Sequence, residues 1–287
     1  MTSPDDAGFP DRTRSGDDAE LRRKLYGGTV FLLPATTASR LLVDYARDCL
    51  DEEVGPDPRT CHERYGDEEL FERVGRVRRR IYTEPTGQRL LRETAASAGF
   101  PAAETAFDPA RLRAIIHGAA DNPRAAPVYY PHRDTWYGHP GAVVTIWTAL
   151  DDLDPAETFV FYPERFDRPV ANDSEIFDYD DWVSRGWSLK IGWQDRNASL
   201  TARYPQVVGR EDYGPAAGFS CRAGEILLFS GSHFHRTLRQ DRGLSRFSLD
   251  ARMVHLGDYA AGAGAPDSDN RSRGSAVPDY IQPGTDI

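Results

Sequence analysis

Cysteine is scarce in this chain, and its spacing excludes two common roles. Cys49, Cys61 and Cys221 are the three cysteines among 287 residues, and no two of them form a Cys-x-x-Cys pair. An odd number of widely separated cysteines fits neither the dense disulfide framework of small secreted domains nor a thiolate zinc site. We therefore expect three free, buried thiols.

Long apolar runs are also missing. No stretch approaches the roughly 20 apolar residues that a membrane-spanning helix needs. Residues 1–20 are too polar to contain the apolar segment of a signal peptide. The sequence therefore predicts a cytoplasmic protein that does not cross a membrane.

Positive charge is in deficit. The chain has 35 basic and 45 acidic residues, which gives a formal net charge of −10. A surface that follows a nucleic acid backbone needs an excess of positive charge, so nucleic acid is not an expected partner. A small molecule is the expected partner instead.

The acidic excess is confined to one part of the chain. Residues 151–181 carry eleven acidic side chains against two arginines, whereas residues 222–252 carry six arginines against three acidic side chains. The second segment is suited to binding an anion, because its net charge is positive. The first segment suggests a substrate that bears an amine.

Hydrophobic periodicity is absent from both ends of the chain. Residues 1–19 and 258–287 are rich in small and polar residues and lack regularly spaced apolar side chains. Such segments bury too little apolar surface to offset the entropy lost on ordering. We predict two flexible tails around a single domain, residues 20–257.

The periodicity changes from helical to strand-like within that domain. Residues 20–110 predict a support of helices and a strand, with helices at 38–53, about 68–81 and about 87–98. Residues 111–257 predict strands at 111–116, 142–150, 225–229 and 246–256, separated by turn residues. An insert at about 163–220 is interpreted either as a lid or as a structural excursion.

The last predicted strand has one polar and one apolar face. Side chains alternate along a strand with period two, so Arg246, Ser248, Asp250 and Arg252 share a face opposite Phe247. A polar face within a large domain indicates a barrel with a wet interior. The expected fold is mostly β with flanking helices, a double-stranded β-helix (jelly-roll, cupin-like) barrel.

His132 and Asp134 are the first candidate metal ligands. They stand two residues apart, so on a strand their side chains point the same way. A buried or exposed hydrogen-bonded His-Asp pair would give the same pattern. The pair acquires weight only from a second candidate cluster.

That second cluster follows an apolar strand near residue 230. The strand ends at His233 and His235, either of which would complete a set of two histidines and one carboxylate that leaves open positions on iron(II). The two histidines stand two residues apart, so position alone does not choose between them. Arg246 and Ser248 then offer a guanidinium fork and a hydroxyl to a single carboxylate.

These motifs resemble those of the iron(II)/2-oxoglutarate-dependent dioxygenases, which have His-x-Asp, a distant His and an Arg about ten or eleven residues later. The resemblance covers residues 111–254, and the segments HRDTWYG, LLFSGSHFHRT and RFSLDAR look closest to the phytanoyl-CoA dioxygenase-like branch. Within that branch the chain is similar to sugar-acid hydroxylases of the Kdo hydroxylase type. It is more loosely similar to oxygenases of antibiotic biosynthesis.

The resemblance implies cofactors and roles for individual residues. The cofactors would be iron(II), 2-oxoglutarate as cosubstrate, and dioxygen. The implied iron ligands are His132, Asp134 and His235, and His233 is the competing distal ligand because only spacing favours His235. Arg246, helped by Ser248, would pair with the distal carboxylate of 2-oxoglutarate.

The resemblance also implies a reaction. The expected function is oxidation, by hydroxylation, of a small polar metabolite such as a sugar or an amino-acid-derived biosynthetic intermediate, with release of succinate and CO2. The aspartate at Asp134 argues against a halogenase, which needs a small residue there. The candidate substrate-binding residues are Trp136, Tyr137, His139, Thr145 and Trp147.

Two other functions share the predicted barrel. One is a cupin-like isomerase or hydrolase that uses zinc or manganese. The other is a jelly-roll binding protein without enzymatic activity, in which the histidines are incidental.

Overall fold

The computed structural model describes residues 8–14, 16–122, 125–184 and 204–285. The strands are β1 (Phe31–Leu33), β2 (Thr105–Phe107), β3 (Arg111–Ile115), β4 (Val143–Ala149), β5 (Phe159–Phe161), β6 (Ile226–Ser230), β7 (His235–Thr237) and β8 (Arg246–His255). The α-helices are α1 (Asp18–Tyr26), α2 (Thr37–Val54), α3 (Cys61–Arg64), α4 (Asp67–Thr83), α5 (Pro85–Ser97), α6 (Tyr179–Ser184) and α7 (Leu256–Ala260). The helices predicted at 38–53, 68–81 and 87–98 are therefore confirmed as α2, α4 and α5.

The strands form two antiparallel sheets. In the larger sheet the order is β1, β6, β4 and β8, and both β2 and β3 pair with the far side of β8. The smaller sheet contains β5 and β7. The predicted antiparallel β structure with flanking helices is confirmed. Among the described residues no ladder joins the two sheets, so the larger sheet is open.

A helical layer covers one face of the larger sheet. Helix α2 begins with a capping box, in which Thr36 and Ser39 satisfy each other's backbone N–H groups. Helix α4 buries Leu70, Val74 and Val77, at the spacing of one helical stripe. These side chains join one apolar cluster with the sheet residues that face them. All three cysteines are free and buried, as expected.

Strand β8 separates the apolar layer from a cavity. Its odd-numbered residues Phe247, Leu249, Ala251 and Met253 belong to the apolar cluster beneath the helices. Its even-numbered residues Arg246, Asp250 and Arg252 line a cavity on the opposite face. The predicted polar and apolar faces of this strand are therefore confirmed, and the polar face positions the site described below.

The C-terminal segment differs from the flexible tail that the sequence predicts for 258–287. Over residues 258–285 it packs along the body of the molecule, where the Ala265 and Ala276 amides donate to Gly141 and Gly138 at 2.9 Å each. The side chain of Tyr280 is buried. Backbone hydrogen bonds and a few anchoring side chains therefore contact the body of the molecule, although this segment has no periodicity.

Described parts of the predicted N-terminal tail also contact the rest of the molecule. Asp11 exchanges backbone hydrogen bonds with both neighbours of Phe31 in β1, and Asp17 caps helix α1. The predicted insert is described at 163–184 and 204–220. Its stretch 185–203, which includes Trp187 and Trp193, lies outside the described residues, as do residues 1–7.

Candidate metal centre and cosubstrate pocket

Three of the predicted residues meet at one point in the cavity. The ligand atoms of His132, Asp134 and His235 all lie within 4.8 Å of one another, and the described residues contain no second group of this kind. His132 and His235 exchange two backbone hydrogen bonds of 3.0 Å, which joins the segment before β4 to the start of β7. Asp134 begins a short 3₁₀ helix two residues later.

The two imidazoles are oriented by backbone carbonyl oxygens. The Nδ1 atom of His132 lies 2.8 Å from the Tyr130 oxygen, and that of His235 lies 2.9 Å from the His233 oxygen. A carbonyl only accepts, so each Nδ1 carries the proton and each Nε2 lone pair is free for a metal. Burial lowers the pKa of His132, and it lowers the pKa of His235 to about 3. Both rings are therefore in the neutral, metal-binding form at pH 7.

His233 does not face this cluster. Both of its ring nitrogens lie beside backbone carbonyl oxygens, Nδ1 at 3.0 Å from Ser230 and Nε2 at 3.1 Å from Gly28. Its ring packs against Phe166 with centroids 4.6 Å apart. The i, i+2 rule fails here because His233 lies in the turn before β7, and only His235 belongs to the strand.

Asp134 is held as a carboxylate. Burial favours its neutral form, but Arg252 and the two histidines outweigh burial and hold the pKa of Asp134 well below its usual range. Arg252 Nη2 donates to Oδ1 at 2.9 Å, and the Thr145 hydroxyl donates to Oδ2. These two donors fix the orientation of the carboxylate.

Arg252 connects Asp134 to a longer chain of charges. Its Nη1 donates to Asp250 at 3.0 Å, and Arg113 from β3 donates to both oxygens of Asp250 at 2.9 Å each. Sequence reasoning missed the roles of Arg113 and Arg252. The polar face of β8 was the one sequence feature that pointed to Arg252. It grouped Arg252 with Asp250 but did not show which residues either side chain contacts.

Arg246 lies in the same cavity, and two of its nitrogens are unpaired within the described residues. The residue is 2% exposed, and these nitrogens are Nε and Nη1. Burial lowers the pKa of Arg246 to about 10, so the guanidinium stays charged at pH 7. The buried Ser248 hydroxyl likewise has no hydrogen-bond partner in the described part of the chain. A buried, unpaired cation is costly, so this pair of side chains fits a carboxylate ligand.

The sequence profile of the phytanoyl-CoA dioxygenase family, "Phytanoyl-CoA dioxygenase (PhyH)", matches residues 62–243, more than half of the chain. The chain belongs to the phytanoyl-CoA dioxygenase family. It is an enzyme of the iron(II)/2-oxoglutarate-dependent dioxygenase type, and iron(II), 2-oxoglutarate and dioxygen are its metal, cosubstrate and oxidant. This assignment confirms the resemblance. It takes the place of the two alternative hypotheses, a zinc or manganese isomerase or hydrolase and a non-enzymatic binding protein.

Solved structures of low sequence identity resemble this dioxygenase. The non-haem monooxygenase ThoJ is 12% identical, with 82% of this chain and 77% of that chain covered and a TM-score of 0.45. EvdO2 from Micromonospora carbonacea var. aurantiaca, complexed with 2-oxoglutarate, is 13% identical, with 85% and 93% covered and a TM-score of 0.44. The epimerase SnoN, in complex with Fe3+, α-ketoglutarate and nogalamycin RO, is 15% identical, with 93% and 96% covered and a TM-score of 0.43.

No curated protein matches the dioxygenase sequence. Among its described helices, none has the length and apolar character to cross a bilayer.

Four of the five predicted substrate residues line the cavity of this dioxygenase, whose volume is about 220 Å³. They are Tyr137, His139, Thr145 and Trp147. Thr145 is already bonded to Asp134, and the Trp147 ring centroid lies 5.9 Å from the Arg246 guanidinium carbon. His139 Nδ1 lies 2.8 Å from the Tyr280 hydroxyl of the C-terminal segment. Tyr137 packs edge-on against His132, with centroids 5.5 Å apart.

Trp136 is the exception, because its side chain is fully buried outside the cavity. Its Nε1 donates to Asp269 at 2.8 Å, and its ring packs against Phe234. The 3₁₀ helix at Asp134–Tyr137 turns each successive side chain by about 120°, so Trp136 and Tyr137 face different surroundings. Trp136 is therefore not among the residues that line the cavity.

The acidic side chains of segment 151–181 do not line the cavity, although Phe159, Phe177 and Tyr179 of the same segment do. All eleven of its acidic side chains lie in the described part of the chain, and none of them lines the cavity. Several instead pair with arginines elsewhere, as Glu157 does with Arg59 and Asp154 with Arg242. The amine-bearing substrate that the charge distribution suggested is not supported.

Proposed function

We propose that His132, Asp134 and His235 hold the iron(II), and that Arg246, helped by Ser248, binds the distal carboxylate of 2-oxoglutarate. The observation that carries this proposal is the meeting, in one cavity, of a buried His-Asp-His cluster and an arginine whose buried nitrogens lack partners. Two imidazoles and one carboxylate suit iron(II) and leave coordination positions for the cosubstrate and dioxygen.

The reaction we propose is hydroxylation of a small polar metabolite, such as a sugar or an amino-acid-derived biosynthetic intermediate, with release of succinate and CO2. A cavity of about 220 Å³ with several charged side chains supports a polar substrate of this size. Tyr137 and His139 are the proposed substrate contacts, because Thr145 and Trp147 are occupied by Asp134 and Arg246.

The chain's own residues prepare the site for this chemistry. Iron(II) bound by these three ligands would supply the redox chemistry by which dioxygen oxidises the cosubstrate. Arg252 and Thr145 fix the Asp134 carboxylate, and the carbonyls of Tyr130 and His233 fix the two imidazoles, so the ligands need little reorganisation. Phe159 and Phe229 line the cavity beside Trp147 and limit the entry of water.

We further propose that the two sheets are the two sides of a double-stranded β-helix. The smaller sheet packs against the larger one through Phe159, whose ring lies 5.4 Å from that of Trp147. The bridge between His132 and His235 joins the segment before β4 to the start of β7 in the smaller sheet. We also propose a single domain, which includes the C-terminal segment as well as 20–257.

Replacing Arg246 with glutamine should weaken 2-oxoglutarate binding at least about 100-fold, because charge-assisted hydrogen bonds contribute about 1.5–3 kcal/mol each and two are lost. Calorimetric titration of the anaerobic iron(II) protein with 2-oxoglutarate measures this. Arg239→Gln is the matched control, since Arg239 is exposed and pairs with Asp121 outside the cavity.

The same proposal is tested by turnover. We expect the wild-type protein with iron(II) to form succinate from 2-oxoglutarate slowly without a substrate. A protein that neither binds 2-oxoglutarate nor forms succinate would contradict the proposed function. Binding that Arg246→Gln leaves intact would contradict only the role of this arginine.

Variants of the two candidate distal histidines, His233 and His235, should differ in iron(II) binding. His235→Ala should abolish stoichiometric iron(II) binding, measured by metal analysis of anaerobically loaded protein. His233→Ala should retain the iron and lower the free energy of unfolding by about 1–3 kcal/mol, because buried carbonyls lose a partner. Loss of iron from His233→Ala, with His235→Ala unaffected, would reverse the assignment.

A further inference from the structure

Among the described residues, the side chains that line the cavity carry more positive than negative charge. Five of them are arginines: Arg78, Arg111, Arg113, Arg246 and Arg252. Two of them are carboxylates, and a third carboxylate, Asp108, pairs with Arg111 at 2.7 Å. Iron(II) and the 2-oxoglutarate dianion neutralise each other, so binding both leaves this described lining with two positive charges in excess. The histidines do not change this balance, because burial keeps them neutral.

Arg78 is a cavity arginine for which neither the proposed cosubstrate nor a carboxylate of the described residues provides a charge partner. Its Nε donates to the Leu112 carbonyl at 3.2 Å, which holds the guanidinium at the β3 edge. No acidic side chain in the described ranges forms an ion pair with it. Three of the other four arginines of α4 have such partners, and the fourth, Arg79, is exposed to solvent. Arg73 pairs with Glu69, Arg76 with Glu53, and Arg80 with both Glu52 and Glu84.

The surroundings of Arg78 disfavour an unpaired cation. Burial and then the nearby Arg113 lower the pKa of Arg78 to about 9, although the side chain remains charged at pH 7. Arg113 donates to both oxygens of Asp250. It therefore adds to the positive potential near Arg78 but offers Arg78 no hydrogen-bond acceptor. A bound anion would offset both the cost of burying the Arg78 charge and its repulsion by Arg113.

The register of β3 separates Arg78's end of the cavity from the 2-oxoglutarate anchor. Leu112, whose carbonyl holds Arg78, is the partner of Leu249 in the β3–β8 ladder, and Ile115 is the partner of Arg246. Three residues of strand correspond to about 10 Å. The five-carbon cosubstrate cannot place one carboxylate on Arg246, chelate the iron with the other end, and also reach this position.

We propose that Arg78, in the positive field of Arg111 and Arg113, forms a subsite for an oxyanion group of the substrate, either a carboxylate or a phosphate or sulfate ester. This inference rests on the proposed function, because it assigns Arg246 to the cosubstrate. It replaces the amine that the sequence suggested with a group of opposite charge.

The test titrates the anaerobic iron(II) protein, saturated with 2-oxoglutarate, with inorganic sulfate and separately with acetate at constant ionic strength. We expect one equivalent of at least one anion to bind. Stronger binding of sulfate indicates an ester, and stronger binding of acetate indicates a carboxylic acid. Arg78→Gln should weaken the binding at least tenfold, Arg78→Lys should largely retain it, and Arg79→Gln, the exposed neighbour on α4, should leave it unchanged.

Two outcomes would overturn the subsite: neither anion binds, or Arg78→Gln binds as well as the wild type. Titration with 2-oxoglutarate on the same samples separates the two proposals. Failure of the wild type to bind 2-oxoglutarate contradicts the proposed function, whereas normal 2-oxoglutarate binding without anion binding contradicts the subsite alone. If Arg78→Gln does not fold, anomalous diffraction from wild-type crystals soaked in selenate decides, since a peak beside Arg78 supports the subsite and its absence overturns it.

Discussion

Replacing Asp134 with asparagine will abolish stoichiometric iron(II) binding and reduce 2-oxoglutarate turnover at least about a thousandfold, which corresponds to about 4 kcal/mol. The amide keeps the volume of the side chain but removes the negative charge that two neutral imidazoles cannot replace. Metal analysis and a succinate assay measure the two effects.

The same substitution should leave the protein folded. Arg252 keeps its hydrogen bond to Asp250 when Asp134 is neutral, so we expect a loss of about 1–3 kcal/mol in the free energy of unfolding. Asp241→Asn is the control, because Asp241 is exposed and its ion pair with Arg239 contributes little. An Asp134→Asn variant that retained iron and turnover would show that the metal is held elsewhere.

Replacing Asp269 with alanine will lower the free energy of unfolding by about 3–5 kcal/mol, because it leaves the buried Arg133 guanidinium without its carboxylate. Arg133 Nε donates to Asp269 at 3.0 Å, and both side chains are almost fully buried. The same carboxylate accepts hydrogen bonds from the Trp136 indole and the Val170 amide, at 2.8 Å each. Denaturant unfolding followed by tryptophan fluorescence measures the loss.

This substitution should also weaken metal binding, because Arg133 stands between the ligands His132 and Asp134. The matched control is Glu175→Ala, which removes an exposed ion pair with Arg271 and should change stability by less than about 1 kcal/mol. If Asp269→Ala were as stable as the control, the C-terminal segment would contribute little to the site. Iron affinity that fell with no change in stability would instead assign Asp269 a purely local role.

Local sequence patterns predicted several secondary-structure elements of this protein and its family. The alternation along β8 predicted which of its side chains face the cavity, because a strand's side-chain directions follow from its backbone alone. The stripe of Leu70, Val74 and Val77 likewise predicted helix α4. The motif around His132, Asp134 and His235 predicted the family, which the sequence profile confirms.

Contacts between distant parts of the chain were beyond such patterns. Asp269 belongs to a segment of unremarkable composition, and only its approach to Arg133, 136 residues earlier, makes it a structural anchor. Arg78 looks like one more arginine of a charged helix. Only the packing of α4 against β3 shows that it faces a cavity and that no acidic side chain of the described ranges pairs with it.

The sequence by itself determined the types of secondary structure, the family and a short list of metal-site candidates, because periodicity and motif spacing are properties of neighbouring residues. The tertiary structure decided which candidates meet. It directs His233 and Trp136 away from the cavity, keeps the acidic side chains of 151–181 out of it, and places Arg78 at its wall. These outcomes depend on turns and on long-range packing, in which a side chain's surroundings are supplied by residues far away in the sequence.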